Sequence, residues 1–146
     1  MNIDRKLAAI ILLLCVGSAT LAYAITRSIV IHNEVPVYTS NVEAYWDQNR
    51  TTEVTRIEWD IMHVGTSQNK TIYLYNPGTV GLALSMFISN ILPAEVDPFV
   101  TVSWDLTGTL EAKTTLAATI VIAVDSTFPT GVGLFEFDLH IEGTEV

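Results

Sequence analysis

The residues of this 146-residue chain best suited to chemistry are carboxylates paired with aromatics. Three tryptophans, Trp46, Trp59 and Trp104, are each followed by an aspartate, in AYWDQNR, IEWDIMHVG and VSWDLTG. Asp47, Asp60 and Asp105 could converge as oxygen ligands for a cation such as calcium, although no dense Asp-x-Asp-x-Asp loop accompanies them. Trp59 and Trp104 stand 45 residues apart, close to the period of a Trp-Asp propeller blade. A propeller needs four or more blades of about 40 residues each, and only 101 residues run from Trp46 to the end. The repeat is excluded. The structural reading gives each tryptophan the end of a strand, its ring buried at a margin. Each aspartate then opens a turn by accepting hydrogen bonds from backbone N–H groups two residues on.

Other candidate groups are sparse. His32, His63 and His140 include no two at metal-ligand spacing, and no serine stands in a nucleophile elbow. His140 falls in an acidic row on the outward side of its segment, where a solvated residue is expected. Glu136 and Asp138, two apart on one strand face, would stand about 7 Å from each other, a spacing that suits an acid–base pair. On a chain this acidic such neighbours also arise without a role. There is no glycine-rich phosphate loop, zinc pattern or basic aromatic stripe. No catalytic residue, metal or cofactor is expected, and the chain does not read as an enzyme. Tyr45, Tyr73 and Tyr75 are candidate sugar-stacking aromatics, with Tyr73 and Tyr75 on one strand face opposite Ile72 and Leu74. Asn49-Arg50-Thr51 and Asn69-Lys70-Thr71 fit the N-glycosylation sequon, placed in turns or at strand starts.

The elements that must position these groups begin after a hydrophobic leader, expected to form one N-terminal helix. Arg5 and Lys6 precede an apolar run from Leu7 to Val16, and small residues end in Ala22-Tyr23-Ala24. This is the three-part form of a secretory signal, with cleavage expected after Ala24. Uncleaved, the charge-free stretch 7–25 is just long enough to anchor in a membrane, with the C-terminus outside in both cases. Leu14 stands where a lipoprotein box would place a small residue before Cys15, which argues against a lipid anchor. Residues 1–25 are thus a signal peptide or membrane anchor, and 26–146 one exported domain. That domain holds no cysteine, so its core must be sufficient without disulfides. From Ile25 onward 15 acidic and 5 basic residues leave a net charge of −10, which disfavours nucleic acid as a partner.

From Arg27 onward the pattern has period two. The clearest segment is LFEFDLHIE, with Phe135, Phe137, Leu139 and Ile141 on one side and Glu136, Asp138, His140 and Glu142 on the other. It reads as a half-buried antiparallel strand. Similar runs occur at 28–38, 41–46, 54–59, 70–76, 81–89, 99–104 and 116–125, separated by turn signals such as Gly65-Thr-Ser, Asn76-Pro-Gly and Leu92-Pro93. Seven to nine short strands with no amphipathic helix after the leader predict an all-β sandwich.

The order VEAYWD, then VTRIEWDIMHVGTSQNKTIYLYNPGTVGLALSM, VTVSWD and GLFEFDLHIEG resembles a group of small exported immunoglobulin-like proteins of archaea. The resemblance covers about residues 26 to 143. Asp60 departs from the glycine usual in that group after the second tryptophan. The resemblance implies an immunoglobulin-like fold outside the cytoplasm and carries no chemistry.

Three functions follow as expectations. The first is a non-enzymatic module, secreted or held at the cell surface, with a structural or adhesive role in the envelope. It would meet protein partners or other copies of itself through sheet edges, and the membrane through residues 7–25 if uncleaved. The second is an extracellular filament subunit that donates its N-terminal strand, residues 25–38, to a neighbour. The third is a calcium- or carbohydrate-binding module.

Overall fold

The computed structural model describes residues 33–146. The leader, the cleavage position after Ala24, Cys15, His32 and the start of the expected strand at 28–38 lie outside the described residues. Nine strands follow in order, β1 (Asn33–Ser40), β2 (Glu43–Tyr45), β3 (Arg56–Trp59), β4 (Ser67–Tyr75), β5 (Leu82–Leu92), β6 (Val100–Trp104), β7 (Thr109–Leu110), β8 (Thr115–Val124) and β9 (Glu136–Glu145). They make two sheets, one of five strands in the order β3-β1-β9-β5-β7 and one of four in the order β2-β4-β8-β6. The chain is an all-β sandwich. A six-residue 3₁₀ turn, Ala94–Phe99, leads from β5 to β6, and no helix among the described residues is long and apolar enough to cross a membrane.

Alternation builds the core. Phe135, Phe137, Leu139 and Ile141 are all at most 2% exposed, so the segment with the clearest period of two does line the interior. Ala118, Ile120, Ile122 and Val124 of β8 and Ile72 and Leu74 of β4 bury the facing side. Toward one end four phenyl rings run in series. Phe99 meets Phe128 edge-on at 6.4 Å, Phe128 meets Phe135 at 5.8 Å, and Phe135 stacks near Phe137 at 6.2 Å. Such offset and edge-on pairs add to the burial of the rings themselves.

Two features differ from the sequence expectation. β9 is antiparallel to β5 but parallel to β1, with Val37 opposite Leu139 and Ser40 opposite Glu142. β1 and β9 stand at opposite ends of the described chain and no hairpin dictates their direction. β1 also changes partner midway, since Asn33–Pro36 pair antiparallel with β3 and Val37–Ser40 pair with β9. Pro36, with no N–H to give to a ladder, stands at the changeover. The second difference is β7, two residues long and too short to show alternation, which nonetheless buries Leu110 on the edge of the larger sheet.

Asn76 is the one fully buried polar side chain among the described residues. It sits where the chain leaves β4 and crosses to β5 in the other sheet. Its Nδ2 donates to the carbonyls of Val80 at 2.8 Å and Leu110 at 3.0 Å, while its Oδ1 accepts from the Gly78 N–H at 2.8 Å. Its backbone N–H donates to the Thr114 carbonyl, and its own carbonyl accepts from Lys113 N–H. The turn signal in Asn76-Pro-Gly is therefore a clamp on two crossovers.

Three substitutions test this architecture. Phe137→Ala should cost about 3 to 5 kcal/mol through lost burial and a cavity. Asp138→Ala removes only a surface bond from Asn90 at 2.6 Å, worth about 1 kcal/mol. Asn76→Ala should cost about 2 kcal/mol or more, because it strands two carbonyls and an N–H in the interior. Urea unfolding of the three variants measures all of these, and equal losses for Phe137→Ala and Asp138→Ala would refute the two-faced strand.

Candidate functional site

The three tyrosines meet on the outward face of the smaller sheet. Tyr45 of β2 is the direct cross-strand partner of Tyr73, and Glu43 that of Tyr75. On the other side of β4, Ala117 stands opposite Tyr73 and Thr115 opposite Tyr75. Ile72 and Leu74 point the other way and are fully buried, so the strand splits its aromatic and aliphatic residues between solvent and core. Packed side by side at cross-strand distance, the rings are half-buried.

Polar groups frame these rings. The Tyr45 hydroxyl donates to Glu43 Oε2 at 2.7 Å. That bond, with burial and the charges of Glu43 and Glu53, holds the Tyr45 pKa above its ordinary 10.0 against a smaller opposing pull from Arg50. The Arg50 guanidinium lies over the Tyr75 ring, 4.0 Å from its centroid, a cation–π contact. Arg50 gets there because the Asp47 turn delivers it. Arg50 N–H donates to the Asp47 carbonyl at 3.0 Å, and Arg50 adopts the left-handed conformation at φ 62°. Glu43 and Arg50 were not legible as site residues. The signal available was Glu43 two positions before Tyr45 and Arg50 inside a turn, and neither specifies a face without the β2–β4 register.

The Trp-Asp dipeptides separate into three different jobs. Trp59 and Trp104 end β3 and β6, and Trp46 directly follows β2. Only Trp59 is buried; the other two are half-buried, and the Trp59 indole N–H has no hydrogen-bond partner among the described residues. Asp47 closes its turn as expected, with a bond from the Asn49 backbone two residues on, and it also reaches four and five residues on, to Thr51 N–H, the Thr51 hydroxyl and Thr52 N–H. Asp105 accepts from Thr119 N–H at 2.8 Å, fourteen residues away on β8. Asp60 pairs with Lys70 at 3.5 Å. Each aspartate thus has its own partner, and among the described residues no group of three or more His, Cys, Asp or Glu is arranged to hold a metal ion.

The outward face of the larger sheet also differs from expectation at His140. The imidazole is half-buried, stacked on Phe87 with centroids 4.7 Å apart and planes 5° from parallel, and its Nε2 lies 2.7 Å from Ser89 Oγ. The reason is register: Phe87 stands opposite His140 across β5 and β9. His63 is exposed in the turn before Gly65, where its carbonyl accepts from the Thr66 hydroxyl. Glu136 is exposed, and Asp138 takes the hydrogen bond from Asn90. Beside them opens a groove of about 480 Å³ where β1 parts from β9, with Pro36, Arg56, Leu92 and Leu134 among its walls. Asn49 lies exposed in the Asp47 turn, and Asn69 lies exposed within β4 as its third residue.

Several aspartates are held below the ordinary carboxylate value of 3.8. The backbone N–H of Thr119 is the main cause for Asp105, and the Thr127 hydroxyl and N–H for Asp125. For Asp47 burial acts in the opposite direction, and bonds from Thr51, Thr52 and Asn49 outweigh it. A carboxylate whose folded pKa is depressed adds stability above its unfolded pKa of about 3.9, and that stability is lost as pH falls through the folded value. The melting temperature should therefore fall as pH drops from about 5 toward 2. A pH series of melting curves checks this: Asp105→Asn combined with Asp125→Asn should flatten the acid limb, and an unchanged slope would refute the assignment.

Comparison of the chain with protein-family models, with curated proteins and with solved structures gives no match, so the functional argument rests on the molecule's own geometry.

Proposed function

We propose that the domain is a non-enzymatic module displayed outside the cytoplasm, an immunoglobulin-like sandwich with an adhesive or structural role in the cell envelope, and that the tyrosine face is its contact surface. The observation that carries this reading is the block of Tyr45, Tyr73 and Tyr75 framed by Glu43 and Arg50. Aromatic faces carry negative charge density that attracts the slightly positive C–H bonds on one side of a pyranose ring. A carboxylate and a guanidinium at the margin supply an acceptor and donors for sugar hydroxyls. Exposed Ala117 and half-buried Thr115 keep the adjoining strand low, so a flat chain of sugars can lie across three strands. The charge-poor leader and the disulfide-free, strongly acidic domain support display outside the cell.

A second reading, the filament subunit, draws on β1. This strand is bonded to each neighbour over only four residues, and the groove beside Pro36 leaves the β1 side of β9 open at Glu136 to Asp138. A strand held by two short ladders is the one most readily exchanged between copies.

Two experiments separate these readings. Unglycosylated protein should bind envelope polysaccharide, and Tyr73→Ala or Tyr75→Ala should each weaken binding by about 1 kcal/mol, roughly fivefold in Kd. Unchanged affinity in both variants refutes the contact face. Negative-stain microscopy tests donation, which predicts filaments lost on deleting residues 25–38; a monodisperse monomer at high concentration overturns it.

A further inference from the structure

One sequon shares a sheet face with the tyrosines and the other lies in a turn beside it. Along β4, Asn69, Thr71, Tyr73 and Tyr75 alternate with Gln68, Lys70, Ile72 and Leu74, which turn to the other side. Four extended residues place Asn69 about 13 Å from Tyr73 on that face. β2 pairs only with Tyr73 to Tyr75, so β4 is bonded to β8 alone at Asn69 to Thr71. Asn49 belongs to the turn that follows Tyr45, the cross-strand partner of Tyr73. It is exposed in the Asp47 turn and directly precedes Arg50, whose guanidinium covers Tyr75. Neither the Asn49 nor the Asn69 side-chain amide makes a hydrogen bond among the described residues.

We infer that Asn49 and Asn69 are N-glycosylated and that their glycans lie over the tyrosine face, limiting access to it. The inference rests on the contact-face reading above. In the modification, Asn Nδ2 attacks C1 of a sugar carried on a lipid phosphate. The C1–O bond to phosphate breaks, the lipid phosphate leaves, the C1–N bond forms and Nδ2 gives up one proton. The two sequons differ in readiness. The Thr71 side chain is exposed and its hydroxyl makes no hydrogen bond among the described residues. The Thr51 hydroxyl is tied to Asp47 Oδ2 at 2.8 Å, so Asn49 is modified before that turn closes. A glycan of several sugars on either asparagine then has aromatic rings within reach, where it competes with an external saccharide for the same surface.

The test uses full-length protein isolated from its native cells. Intact mass and peptide mapping should show two glycans, one lost in Asn49→Gln and the other in Asn69→Gln. Thr71→Ala, which keeps Asn69 but destroys its sequon, should also remove the second, so that loss of the glycan is not confused with loss of the asparagine. Chemical labelling of Tyr73 and Tyr75 in the folded protein should rise severalfold in the Asn49→Gln, Asn69→Gln double variant. Unmodified asparagines overturn the inference, and so do mapped glycans whose removal leaves tyrosine labelling unchanged. Failure of the contact-face reading looks different: glycans are present and shield the tyrosines, while Tyr73→Ala has no effect on polysaccharide binding.

Discussion

One amide side chain ties together the two segments that cross between the sheets. β4 belongs to the smaller sheet and β5 to the larger, so the segment after Tyr75 must cross between layers. The segment from Leu110 to Thr115 crosses back nearby. Each crossing leaves backbone groups with no strand partner inside the protein, where an unmet carbonyl is costly. Asn76 answers both, with its side chain bonded to Val80, Gly78 and Leu110 and its backbone to Lys113 and Thr114. Hydrophobic burial brings the layers together without direction. The Asn76 bonds tie the two crossings together where the chain passes between the layers.

Alternation along the strands and pairing within each sheet determine what the two surfaces carry. The same alternation that sends Ile72 and Leu74 inward sends Tyr73 and Tyr75 outward, and the β2 pairing brings Tyr45 and Glu43 beside them. On the opposite sheet the equivalent position across β5 and β9 holds Phe87 and His140 stacked together. The aspartates after the tryptophans take unlike parts in this arrangement. Asp47 shapes a loop that carries an arginine onto the tyrosine face, Asp105 ties the β6 end to β8, and Asp60 forms a surface ion pair.

Sequence pattern gave access to whatever depends on neighbours along the chain. The period of two marked Phe135, Phe137, Leu139 and Ile141 as interior residues and separated Tyr73 and Tyr75 from Ile72 and Leu74, because side-chain direction in a strand is a local property. Pairing between distant strands is not local. The parallel match of β1 with β9, the stacking of His140 on Phe87 and the bond from Thr119 to Asp105 all join segments whose relative position only the folded chain decides. β7 escaped for a different reason, since two residues cannot display a period. The tyrosines of the candidate site were therefore visible as types, but their assembly with Glu43 and Arg50 required the register of β2 on β4.

The parallel pairing of β1 with β9 also gives the domain a mechanical character. In parallel neighbours, the N-terminal end of one strand and the C-terminal end of the other lie at opposite ends of the shared ladder. A chain held at its N-terminal side and drawn from its C-terminal end would pull β1 and β9 in opposite directions along their length. The bonds from Val37 to Ser40 would then carry the load together in shear, with no peeling from one end. An antiparallel pair joined by a hairpin and pulled at its two ends would open one bond at a time. Tension along the chain thus meets the sandwich along its more resistant direction.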